Sequence, residues 1–390
     1  MEVLHRVRPP RLSVSAQVHP PAVNTAARIR TRAARTLLAA VLTICASLAF
    51  AAPCAAQLPG TTVRSLKWPI RTREYVDLWL HGFAMISADS ATVPLFRRGY
   101  QGTLTMARTK AAAVTDLDVN HDALAKHLRE NPALINAQFL AFAFTSWDDL
   151  VAAVDAFVKA NGDPKRARSR EEAAEFAEMA RLFPNAADRD FARMFTNSLQ
   201  NEKDVFFHAW WVDEMRRRAA TLAAVDSIWQ AEMLPRLQGF LNNAGMPQGD
   251  LILSLAIEGE GRTVTNPRDR SQVAVGFPDS PADAMDAMYA LAHEIVGPLT
   301  GPAVDDNTTP AEKRSGLATT IGSYALVRGG ELVLAHLSPA LGTGYAKFYL
   351  GLAGVTYEGD PMPAFAKTFS IPGPMLNSIA RQVAISFGGI

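Results

Sequence analysis

Up to Pro247 the apolar residues of this chain recur every three or four positions, and beyond it they come first in short runs and alternations. That change of period limits the fold more than any single motif does. Tyr75, Leu78, Trp79, Phe83 and Ile86 mark the buried face of a first helix, and the spacing continues through 123–128, 137–144, 147–158 and 170–182. Asp163-Pro164 and Phe183-Pro184 punctuate the series, and longer helices are expected at 200–218 and 221–240. Leu251 to Ile257 has the length and composition of a strand. Glu258-Gly259-Glu260-Gly261 is a turn, Arg262 to Thr265 a second strand, and Ser271 to Phe277 an alternating third. Ser280 as cap, Pro281 at the first helical position and Asp283 three residues after the cap announce a helix over 282–296. Further helices are expected at 312–337, 341–353, 363–369 and 374–386. The expected fold class is α+β, predominantly α-helical with a small β-sheet. It divides into a helical region, 57–245, and an α+β region, 246–390, which one continuous domain could equally hold.

The first 56 residues are of another kind. Seven arginines and one acid, Glu2, precede an uncharged apolar run from Leu37 to Phe50, and a small-residue stretch ends at Ala56-Gln57. A basic segment, an apolar core and a small-residue exit are the three parts of a secretory signal. Cleavage before Gln57 is expected, with 1–56 as signal peptide and an exported mature chain, periplasmic or extracellular. The alternative is a retained anchor, since 37–56 is about as long as a spanning helix; Pro53 breaks such a helix near its end. Membrane contact is expected only through this segment, if it is kept. Cleavage removes both cysteines, Cys45 and Cys54, so the mature chain has no thiolate ligand, disulfide or cysteine nucleophile. Taking seven basic and one acidic residue from totals of 39 and 38 leaves 32 and 37, a net charge of −5. That balance argues against a nucleic-acid partner.

Chemistry concentrates at His293 and Glu294, near the end of the expected helix 282–296, and at Glu331 in the long helix that follows. Residues 290–297, Ala-Leu-Ala-His-Glu-Ile-Val-Gly, resemble the active-site helix of zinc metallopeptidases of the zincin class. The order of a few strands, a helix bearing His-Glu and a second long helix bearing a glutamate is similar to the glutamate-zincin branch, over roughly residues 250–337. In that family two histidines four residues apart share a helix face and hold zinc, and the glutamate after the first activates a metal-bound water. The resemblance implies His293 as a metal ligand, Glu331 as the third ligand, Glu294 as the general base and zinc as the cofactor.

At the second histidine position stands Gly297, which has no side chain to offer. Two protein ligands would remain where a catalytic zinc takes three. Asp305 or Asp306 would supply a replacement only if the loop that follows folds back on the helix. The implied protein is thus a metallopeptidase relative, inactive or altered, with no cofactor assured. A second account uses no chemistry. Gly297-Pro298 is then a plain helix stop, His293 is favoured by the dipole of the last turn, and Met285, Met288, Ala292 and Ile295 form a core face. The function that goes with it is a non-enzymatic, helix-rich binding or structural protein of the cell envelope.

Other features add less. Phe206 to Trp211 is dense in aromatics and reads as core packing or a ligand cleft, with His208 either buried or facing His293. Arg216-Arg217-Arg218 reads as a solvated helix end, and Asn307-Thr308-Thr309 matches a glycosylation acceptor. No nucleophile elbow and no phosphate-binding glycine loop occurs.

Overall fold

A computed structural model describes residues 68–88, 91–265 and 270–388, all within one unit of the chain. The expected signal segment and its cleavage site lie outside the described residues. Four strands form one sheet: β1 (Ile70–Arg71), β2 (Gly249–Ser254), β3 (Arg262–Thr265) and β4 (Ser271–Gly276), in the order β1-β2-β4-β3. β2 runs parallel to β1 and to β4, in register from Gly249 opposite Ser271 to Ser254 opposite Gly276. β3 is antiparallel to β4 and forms one edge, with β1 at the other. Helices make up most of the remainder, so the fold is α+β and predominantly helical. None of the described helices is long and apolar enough to cross a membrane.

Successive side chains of a strand point to opposite faces. Leu251 and Leu253 of β2, with Val273 and Val275 of β4, join an apolar cluster built by the helices that follow residue 218. Ile252 and Ala274 join a second cluster, built mainly by helices between residues 74 and 207. β2 is therefore buried along its whole length, which is why the run at 251–257 is continuous rather than alternating. The regular strand ends at Ser254, and Ile257 goes on to bridge Phe96. β1 is only two residues long and carries no periodicity to read.

Several expected helices are divided. The span 200–218 is interrupted by a π turn, Lys203–Phe207, and 221–240 by another, Trp229–Met233. Pro235 follows the second and has no N–H to return to the residue four positions back. Gly316, at φ 79°, splits the expected 312–337 into Pro310–Ser315 and Leu317–Leu337. At Gly297 the chain ends one helix, Ala284–Ile295, and at once starts another, Gly297–Asp306, with Pro298 in its first turn. The helix stop was legible in the sequence; the new helix behind it was not.

Candidate functional site around His293

His293 lies in the last turn of Ala284–Ile295, beneath Tyr349 of the helix Pro339–Leu352. It is 2% exposed, and its ring stacks on that of Tyr349 with centroids 5.5 Å apart. Neither Nδ1 nor Nε2 has a hydrogen-bond partner among the described residues. Burial holds the imidazole down to about 4, so it is neutral near pH 7. The dipole of the last turn, expected from the sequence to favour a charged histidine, is outweighed by desolvation. His81, just as buried, shows what a partnered histidine in this protein looks like. Its Nδ1 meets Tyr100 Oη at 3.2 Å and its Nε2 meets Glu202 Oε1 at 3.1 Å.

Glu294 is tied to the sheet edge. Oε1 accepts the Gly261 N–H at 3.1 Å and Oε2 accepts the Thr263 hydroxyl at 3.2 Å. Burial raises its carboxyl, while the Arg262 charge and these two bonds work against the rise. Gly261 must be glycine for the approach to happen: a Cβ there would lie 2.3 Å from Ala274 O and 2.8 Å from Glu294 Cγ. Nε2 of His293 is 3.9 Å from Oε1 of Glu294, beyond hydrogen-bond reach.

Glu331 sits in the helix Leu317–Leu337 and is buried at 6% exposure. The two glycines before it admit that helix between two neighbours. A Cβ on Gly329 would meet Val296 at 2.7 Å, and one on Gly330 would meet Tyr345 Oη at 2.3 Å. Burial raises the Glu331 carboxyl against the opposing charge of Arg328. Tyr345 packs on Tyr349 at 4.5 Å between centroids, and its hydroxyl, like the His293 ring, has no hydrogen-bond partner among the described residues. Its phenol is pushed up well above its usual value, first by burial, with the fields of Glu331 and Glu294 both adding to the effect. Tyr349 donates its own hydroxyl to the Gly259 carbonyl at 2.9 Å.

His293 and Glu331 are thus buried, and Glu294 largely so, around one tyrosine pair. Other candidates lie elsewhere. Asp305 is exposed and pairs with Lys313 at 2.7 Å, and Asp306 is exposed on the same helix, so neither is a replacement ligand. His208 is exposed and pairs with Glu74 at 2.9 Å instead of facing His293. Arg218 is no solvated helix end: it donates to the carbonyls of Phe277 and Pro278 and pairs with Asp279 at 2.7 Å, clamping the exit of β4.

The described residues hold no group of three or more His, Cys, Asp or Glu side chains placed to take a metal ion. At position 297 a Cβ would meet only Leu326 Cδ2, at 4.0 Å, so packing does not demand glycine there. The donors present therefore do not fit the three-ligand zinc set of the zincins. Tyr345 and Tyr349 are the members of the site that the sequence reading missed. Their spacing of four puts them on one face of the expected helix 341–353, and that was the available signal. Gly261 and Thr263 had none, because strand pairing alone brings them to Glu294. Searches of protein-family models, curated proteins and solved structures return no match for this chain.

Proposed function

We propose that this chain is an exported protein with a zincin-like arrangement in its C-terminal part, altered so that it does not hydrolyse peptides with zinc. Export rests on the three-part pattern of the first 56 residues. The observation that carries the altered site is the commitment of Glu294. A general base must be free to take a proton from the attacking water. This carboxylate instead accepts the Gly261 N–H and the Thr263 hydroxyl, and it fastens β3 to the helix behind it. The glycine at 297 supports the same reading, because it leaves the metal one protein ligand short.

The test is zinc uptake and peptide hydrolysis by the purified mature chain, beside His293→Ala. Fewer than about 0.1 equivalent of zinc and no hydrolysis are expected. About one equivalent, lost in His293→Ala, would overturn the proposal.

A second reading, a helix-rich binding or structural protein of the envelope, is favoured by the apolar burial of His293 against Tyr349. Gly297→His separates the two, since the position is open. Uptake rising to about one equivalent supports the zincin arrangement. A folded variant that takes up none favours the second reading.

A further inference from the structure

We draw no further inference here: the strongest candidate, the pocket of about 290 Å³ at the carboxyl ends of β2 and β4 where Glu258, Asp283 and Asp286 stand beside Phe348, is an acidic cluster with no second feature among the described residues that points to a ligand.

Discussion

A buried imidazole with no partner changes how folding responds to acid. Between about pH 6.5 and 4 the unfolded chain takes up a proton at His293 that the folded chain refuses. Stability is therefore lost as pH falls through that window, by on the order of 3 kcal/mol from this residue. His293→Phe keeps an aromatic ring on Tyr349 and should remove the loss. Denaturant titrations at pH 7 and 4.5 check it, and an unchanged acid sensitivity in the variant would show that His293 titrates normally.

Asp77 acts in the opposite sense. Burial pushes its carboxyl up to about 6, although Ser254, Trp211 and Leu255 all hydrogen-bond to it. From about pH 3.8 to 6 the folded chain holds a proton that the unfolded chain has released. Stability accordingly falls as pH rises through that range, by about 3 kcal/mol at full extent. Asp77→Asn should make the slope of stability against pH more positive between 4 and 6, and a parallel slope would refute the assignment. In the intact protein the two effects offset, so each is clearest in the variant that removes the other.

At the scale of elements, glycines decide where the site's helices and strands can meet. Gly261→Ala drives a methyl into the carbonyl of Ala274 on the neighbouring strand, a clash that a side-chain rotation cannot relieve. It should cost about 2–4 kcal/mol in denaturant unfolding. Gly297→Ala makes only an ordinary contact with Leu326 at the start of a helix, so no loss is expected and a gain of up to about 1 kcal/mol follows from helix propensity. Comparable destabilisation in both would refute the packing account of Gly261, since neither glycine has a positive φ. The contrast also marks what was legible in the sequence. Gly297-Pro298 was readable as a stop because a local rule governs it. Gly261, Gly329 and Gly330 were not readable as packing glycines, because their reasons lie on Ala274, Val296 and Tyr345 in other elements.

For the whole molecule, the sheet is the wall shared by two apolar clusters. Ile252 and Leu253 are neighbours in β2 yet belong to opposite clusters. Cutting either to alanine should lower one common unfolding transition by about 2–5 kcal/mol, because both clusters lose the same strand. Two separate calorimetric transitions, each responding to one substitution, would show that the clusters melt independently.

The sequence by itself determined the fold class, β3 and the cores of β2 and β4, and most of the helices, because period and punctuation are local properties of a chain. It also brought His293, Glu294 and Glu331 forward by residue type and order. Only the tertiary structure decided what surrounds them. A carboxylate becomes a tie when a distant N–H and hydroxyl reach it, and an imidazole becomes neutral when a ring from another helix seals it from water. Those partners come from residues 261, 263, 345 and 349, brought there by strand pairing and helix packing, which no local pattern encodes.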